Sequence, residues 1–396
     1  MVIDGHNCQL LITHYKLPTT MKKRGTANWR QTNLREGYTT SACGAAAAVA
    51  AVRALVGGER VTAVTIDLPG KKNVTFELAR CVQDNGGWLC GVVKDAGDDP
   101  DVTHGLEIQA YVTWQDETPG IVLAGGEGVG RVTRPGLPVD VGNPAINPVP
   151  RRIITRAITT EVGDLLKTRG LRVTIIVPGG AEVAKETLNP RLGILGGISI
   201  LGTSGIVKPY SNSAYRASIY IELKMAAHNG VRHAVLTTGK RSDTYAQERF
   251  PHLPEFAFVQ VGDHMDYGLK QVRRLGFEQV TISAMVGKVS KLAQGRMQTH
   301  VSQGSVDFAF LAQVAMQLGA PEPIVARVRE ANTAHHVQII LEKAGIDGLD
   351  SLLARMAVAK SAAFVDYALP VVLLLWDLKG NLLARDAVDA NFLPDK

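Results

Sequence analysis

The pattern of apolar and polar positions predicts an N-terminal half in which one long helix precedes a run of strands. Three good N-cap residues lead into an Ala-rich stretch at residues 42–55 that two glycines end, which predicts a helix. Alternating apolar positions, separated by turn residues, then predict strands at residues 61–68, 73–82, 88–94, 106–114 and 121–124. One helix followed by several strands is typical of an α+β domain, which we predict at residues 34–209. Residues 1–33 lack such periodicity and are predicted to form a flexible N-terminal extension or a surface-draped arm.

Segments rich in Gly and Pro interrupt this half of the chain. Residues 125–150 leave little room for regular structure, and residues 193–205 form a second Gly-rich segment that contains two short apolar runs. Pro150 suits an early helical position before the apolar periodicity of residues 153–166, so a helix is predicted there, with a strand at residues 171–177. The Gly-rich segments are predicted to be loops whose backbone can approach a ligand closely.

After Pro209 the pattern changes to strands that alternate with helices. Strands are predicted at residues 233–237, 256–261 and 279–285, and each is followed by a turn and a helix. Three such units predict an α/β domain with a parallel sheet of βα units at residues 210–396. Its C-terminal part is predicted to be helical and to end in a hairpin around Gly380.

Composition excludes several classes of protein. Apolar residues make up 45% of the 396 residues, so a large core is available and global disorder is excluded. The net charge of +6 favours an anionic ligand, but with 6% aromatic residues it gives little support to nucleic-acid binding. No apolar run reaches 18 residues and no apolar signal core follows the first residue, so we expect no membrane segment. The four cysteines form no CxxC pair or zinc spacing, which favours a reducing cytoplasm.

Two motifs of the N-terminal half are candidates for chemistry. The glycines of residues 125–130 (GGEGVG) follow a strand, but their spacing differs from GxGxxG and no helix follows, which argues against a dinucleotide loop. The acidic loop, residues 94–105 (KDAGDDPDVTHG), places four carboxylates within seven residues. It is either a solvated turn or a source of a general base or hydrogen-bond acceptor. Its candidate catalytic residues are Asp95, Asp98, Asp101 and His104.

The turns after the predicted parallel strands form a second candidate site. Ligands of open parallel sheets bind beyond the carboxyl ends of the strands, where free N–H groups and helix dipoles favour anionic groups. The residues that we select at these turns are Thr238, Gly239, Gly262, Asp263, Gly287 and Lys288.

Arginines in and beside the Gly-rich segments form a third candidate. Arg makes bidentate contacts to carboxylates and phosphates, although a single surface Arg more often forms a structural ion pair. Several in neighbouring loops suggest a site for a polycarboxylate or a phosphate. They are Arg131, Arg151, Arg152 and Arg191.

Five segments together resemble one family closely. They are residues 34–40 (LREGYTT) with Cys43, residues 94–105, residues 125–130, residues 143–152 (NPAINPVPRR) and residues 189–203 (NPRLGILGGISILGT). The resemblance is to the cobalt-precorrin-5B C(1)-methyltransferases of anaerobic cobalamin biosynthesis, the CbiD type, and it spans about residues 34–300. The chain departs from the common family pattern in reading Ser41-Ala42 before Cys43 and in lacking a histidine within residues 283–288.

The resemblance implies transfer of a methyl group from S-adenosylmethionine to carbon 1 of cobalt-precorrin-5B, which gives cobalt-precorrin-6A. The selected turns would then bind the methyl donor, and the arginines, with Thr39 and Thr40, the tetrapyrrole. No protein-bound metal is expected, because the cobalt belongs to the substrate. Partners other than the tetrapyrrole are not expected, apart from a possible homo-oligomer. The alternative is a non-catalytic tetrapyrrole carrier or scaffold, which would bind the corrinoid without the donor.

Overall fold

The structure is a computed structural model that describes residues 34–115, 118–300, 302 and 304–390. The extension predicted at residues 1–33 therefore lies outside the described residues. The chain divides into an N-terminal unit, Met1–Ile221, and a C-terminal unit, Glu222–Lys396. The domain limits inferred from the sequence stay a prediction.

The N-terminal unit begins with a short strand and a long helix and continues mainly as strands. Its elements are β1 (Gly37–Tyr38), α1 (Thr40–Gly57), β2 (Ala63–Leu68), β3 (Lys71–Glu77), β4 (Arg80–Asp84), β5 (Gly87–Val93), β6 (Glu107–Gln115), β7 (Gly120–Gly125), β8 (Gly128–Val129), β9 (Arg131–Val132), α2 (Pro148–Val162), a 3₁₀ turn (Gly163–Lys167), β10 (Gly170–Ile176), α3 (Gly180–Ala184), β11 (Ile194–Leu195), β12 (Gly197–Ile198) and β13 (Ile206–Val207). Helix α4 (Asn212–His228) contains the division between the units.

A five-stranded sheet in the order β4-β5-β6-β10-β7 forms the framework of this unit. Its pairs are antiparallel except β10–β7, which is parallel. Helix α1 lies in the core with the sheet, and its alanines are fully buried, because side chains this small let neighbouring backbones approach on every side. By length and composition α1 could cross a membrane, yet 78% of that stretch is buried inside the protein.

Short strand pairs hold the Gly-rich segments together. β8 pairs in parallel with β12, and β9 pairs with β11 in antiparallel orientation. The segments predicted to be loops therefore contain two-residue strands from distant parts of the chain.

The C-terminal unit is built on a second five-stranded sheet. Its elements are β14 (His233–Thr237), α5 (Lys240–Arg249), a 3₁₀ turn (Glu255–Ala257), β15 (Phe258–Gln260), α6 (Met265–Arg274), β16 (Gln279–Met285), α7 (Val286–Ala293), α8 (Phe308–Gln317), α9 (Glu322–Arg329), α10 (Ala334–Lys343), α11 (Leu349–Phe364), β17 (Val371–Trp376) and β18 (Leu382–Val388).

The strand order of this second sheet is β15-β14-β16-β17-β18. The first four strands are parallel, and β18 pairs with β17 in antiparallel orientation. β17 is buried along its whole length, as expected of a strand covered on both faces. The chain is thus a mixed α/β fold whose sheets contain both strand orientations, which confirms the predicted fold class in its coarser form.

Candidate functional site

The acidic loop connects β5 to β6 and is closed at its base by two backbone hydrogen bonds. The N–H of Lys94 donates to the carbonyl of Leu106 (2.8 Å), and the N–H of Gly105 donates to the carbonyl of Lys94 (2.8 Å). Within the loop, the N–H of Ala96 donates to Nδ1 of His104 (3.0 Å). The loop therefore has a fixed internal structure.

The segment before α1 packs against this loop through backbone and side-chain contacts. The guanidinium of Arg35 forms an ion pair with Asp95, and the N–H of Arg35 donates to Oδ2 of Asp98 (2.7 Å). Hydrogen bonding by Arg35 is the main reason that the pKa of Asp95 falls to about 2. A Cβ on Gly97, which has a φ of +67°, would lie 2.2 Å from the carbonyl oxygen of Arg35, so the contact requires glycine.

Lys94 and Asp101 form a buried ion pair. Nζ of Lys94 lies 2.7 Å from Oδ2 of Asp101, and the two side chains are 1% and 8% exposed. Oδ1 of Asp101 accepts from the backbone N–H and the hydroxyl of Thr103, so both carboxylate oxygens are engaged. Burial raises the pKa of nearby Cys43 to about 12, which makes this thiol a poor nucleophile.

The start of α1 is joined to the second Gly-rich segment. The hydroxyl of Thr39 caps the helix by accepting from the N–H of Ala42 (3.3 Å), and that of Thr40 accepts from the N–H of Leu201 (2.9 Å). A Cβ on Gly202, where φ is +111°, would lie 2.4 Å from Cγ2 of Thr39. Thr39 and Thr40 thus bring the Gly-rich segment and the helix together.

A cavity of about 190 Å³ opens between the start of α1, the acidic loop and residues 201–214. Two lysines, Lys94 and Lys208, and two carboxylates, Asp99 and Asp101, line it together with threonine and serine side chains and apolar ones. The cavity therefore offers both charges and several hydroxyl groups, a composition that suits a polar ligand with groups of either sign.

The structure brings some of the predicted residues of this unit together at the cavity and leaves others elsewhere. Thr39, Thr40 and Asp101 line it, whereas Asp95, Asp98 and His104 lie in the loop outside its lining. Their predicted roles stay predictions.

The four candidate arginines are not among the residues that line the cavity. Arg131 donates through its side chain to the carbonyl of Gly142, and Nε of Arg151 donates to the carbonyl of Ile146 (2.9 Å). Burial lowers the pKa of Arg151. Two of these arginines thus support the Gly-rich segment through its backbone, and the predicted substrate contacts stay predictions.

Sequence reasoning did not select Lys94 or Asp99. Lys94 directly follows the largely buried strand β5, so its place at the end of an apolar run was a usable signal. Asp99 is 9% exposed, and its Oδ1 accepts from the N–H of Tyr210 (2.9 Å), 111 positions away. Burial raises the pKa of Asp99 above its ordinary value. No local pattern distinguishes Asp99 from its three neighbouring carboxylates.

In the C-terminal unit, the six residues selected at the turns all follow carboxyl ends of the parallel strands β14, β15 and β16. Asp263, after β15, forms an ion pair with Lys288 at the start of α7, and it accepts from the hydroxyl of Thr299 (2.9 Å). Burial alone would raise the pKa of Asp263, but Lys288 and Thr299 hold it below its usual range. Nζ of Lys291, which is 5% exposed, donates to the carbonyl of Thr299 (2.9 Å).

Two glycines at this edge have open space beside them. A Cβ on Gly239 or Gly287 would meet no atom of the described residues within 4 Å, and neither has a φ in the left-handed region that favours glycine. Neither the backbone nor the packing around them requires glycine. The cofactor-binding role of the six residues stays a prediction, and this free space is compatible with it.

The described residues thus form a mixed α/β protein with a polar cavity in its N-terminal unit. No cluster of three His, Cys, Asp or Glu side chains that could hold a metal ion occurs within the described part of the chain.

Comparison with known sequences identifies the family. The profile of CbiD matches residues 27–209, and that of the CbiD C-terminal domain matches residues 298–387. The chain belongs to the CbiD family. It is 50% identical over 352 residues to the cobalt-precorrin-5B C(1)-methyltransferase of Geobacillus kaustophilus (strain HTA426), which covers 89% of this chain and 94% of that protein.

Two further relatives extend the comparison. The protein of the same name from Priestia megaterium is 43% identical over 358 residues, covering 90% of this chain and 97% of that protein. A 1.9 Å crystal structure of the cobalamin biosynthesis protein CbiD from Archaeoglobus fulgidus is 31% identical, covers 67% of this chain and 82% of that chain, and has a TM-score of 0.37.

Proposed function

We propose that this chain is an S-adenosylmethionine-dependent methyltransferase that methylates carbon 1 of cobalt-precorrin-5B to give cobalt-precorrin-6A in cobalamin biosynthesis. The observation that carries the proposal is identity of up to 50%, over 89% of the chain, to proteins named for this reaction. The carrier alternative has no such support.

The chemistry assigns a limited task to the protein. A sulfonium donor is already activated, so the enzyme has to align the methyl group with the ring carbon and exclude water. The cavity of about 190 Å³ is smaller than the ~300–1,000 Å³ of ordinary ligand sites, so it has room for only part of the macrocycle. Lys208 there suits its acidic side arms.

We propose that the carboxyl edge of β14, β15 and β16 binds the donor. The support is the open space at Gly239 and Gly287 and the polar pair Asp263–Lys288. We also propose the finer division of the chain into an N-terminal α+β domain and a C-terminal α/β domain of βα units. The four parallel strands of the second sheet support it.

The donor assignment is tested with Gly287→Val, which fills the open space. Because valine is no worse than glycine in a helix, the variant should fold normally. We expect the Kd for S-adenosylmethionine, measured by calorimetry, to rise at least about tenfold, roughly 1.4 kcal/mol. The control is Gly57→Val at the end of α1, where a Cβ has only ordinary contact. Equal Kd values for both variants would remove Gly287 from the donor site.

The reaction is tested by anaerobic incubation with cobalt-precorrin-5B and methyl-labelled donor, followed by mass analysis. The expected product carries one labelled methyl group. Label that stays on the donor, although the corrinoid is bound, would instead support the carrier.

A further inference from the structure

The four carboxylates of the acidic loop differ in their ion-pair and hydrogen-bond partners. Asp95 is paired with Arg35, and Asp98 accepts the N–H of the same residue and is exposed. Asp101 uses both oxygens for Lys94 and Thr103. These three carboxylates are engaged with the protein itself.

Asp99 differs from the other three. It lines the cavity and is 9% exposed, and the N–H of Tyr210 holds its Oδ1 at 2.9 Å. Its Oδ2 makes no hydrogen bond, and its carboxylate no ion pair, with any residue that the structure describes. One oxygen therefore fixes the orientation of the group, while the other remains available to a ligand in the cavity.

The proposed methyl transfer changes the charge of the macrocycle. The methyl–sulfur bond breaks with its electron pair left on sulfur, and an electron pair of the macrocycle forms the new carbon–carbon bond. The macrocycle thereby gains the positive charge that the sulfonium loses, and release of one proton to a nearby base would return it to its former charge.

We infer that Oδ2 of Asp99 accepts this proton from the macrocycle, an assignment that rests on the proposed methyl transfer. The carboxylate becomes a carboxylic acid and afterwards passes the proton to solvent. Burial raises the pKa of Asp99 and Asp101 adds to this effect, while the Tyr210 N–H and Lys94 oppose it. A raised value brings a base nearer to the pH at which it works most effectively.

The test compares Asp99→Asn with wild type and with Asp84→Asn, an exposed carboxylate of β4. Asparagine keeps an oxygen for the Tyr210 N–H, so the loop should stay folded, which a thermal melt checks. Single-turnover methyl transfer is measured anaerobically against pH, and corrinoid binding is measured by absorbance titration. We expect Asp99→Asn to lower the rate about 100-fold or more, to abolish the acidic limb of the pH profile and to leave corrinoid Kd within a few-fold.

The outcomes separate this inference from the proposed function. Asp99→Asn with the wild-type rate and acidic limb overturns the inference while methyl transfer stands. Loss confined to corrinoid Kd, at an unchanged maximal rate, also overturns it, because Asp99 would then only bind. Partial recovery of rate and acidic limb in Asp99→Glu supports it. If wild type itself transfers no methyl group, the proposed function fails rather than the assignment of Asp99.

Discussion

The buried pair of Lys94 and Asp101 leads to a strong prediction about stability. Asp101→Asn keeps an oxygen at the position of Oδ1, which accepts from the backbone and hydroxyl of Thr103. It removes the negative charge that lies 2.7 Å from the Lys94 ammonium. Because Lys94 is 1% exposed, its charge would then be buried without this partner.

The expected loss of unfolding free energy in Asp101→Asn can be estimated in two ways. Two unit charges at 2.7 Å attract by about 6 kcal/mol at an effective dielectric constant of about 20, which sets an upper figure. Removing one partner of a buried pair costs about 3–5 kcal/mol. Asp99 lies near enough to interact electrostatically with Lys94 and recovers part of the attraction, so we expect a loss of about 3 kcal/mol.

The assay is urea unfolding followed by tryptophan fluorescence. A Trp29→Phe and Trp376→Phe background leaves the emission to Trp88 and Trp114, both in the N-terminal unit. Lys94→Met and the double variant complete a double-mutant cycle. We expect the double variant to lose clearly less than the sum of the two single losses. Additive losses, or a loss below about 1 kcal/mol in Asp101→Asn, would refute the reasoning, because an exposed pair contributes that little.

Three further predictions concern the same unit. The pKa of Asp95 is about 2 when folded and 3.8 when unfolded. Its pairing with Arg35 therefore stabilises the fold above about pH 4, and this stabilisation disappears as the pH falls through 2. NMR titration of Asp95 with and without Arg35→Gln checks this. Gly97→Ala should destabilise by about 3 kcal/mol in thermal melts, against about 1–2 kcal/mol for Gly105→Ala, because both have positive φ but only Gly97 faces backbone within 2.2 Å. The remaining three cysteines are buried: Cys43, Cys81 and Cys90. In a Cys8→Ser background the folded protein should therefore react slowly with a thiol reagent and should expose three reactive thiols on denaturation. A fast-reacting thiol in the folded protein would contradict their burial.

Local sequence signals were sufficient to predict those helices and strands whose structure depends on only a few neighbouring residues. The helix predicted at residues 42–55 is α1, with Thr39 as N-cap and a left-handed Gly58 at its end. The strand predicted at residues 279–285 has the bounds of β16. Capping chemistry and strong apolar runs act over one turn or one strand, so they can be recognised in the sequence.

The features that sequence reasoning missed depend on contacts between distant parts of the chain. Residues 73–82 were predicted as one strand, but the first strand ends at Glu77 because β3 pairs with β2 whereas β4 pairs with β5. Asp99 likewise owes its place to the Tyr210 N–H, which comes from another part of the chain. No spacing rule distinguishes one aspartate from its neighbours when the partner lies 111 positions away.

An acidic loop beside the proposed site of a substrate with many carboxylates needs an explanation, since like charges repel. The structure supplies one, because cations compensate two of the four acidic charges. Arg35 pairs with Asp95, Lys94 pairs with Asp101, and a backbone N–H binds Asp98. Among the residues that the structure describes, Asp99 has no such cation, and its raised pKa favours the neutral form more than for an ordinary aspartate. On the proposed assignment, the loop therefore presents one proton-accepting oxygen to an acidic macrocycle without presenting four uncompensated negative charges.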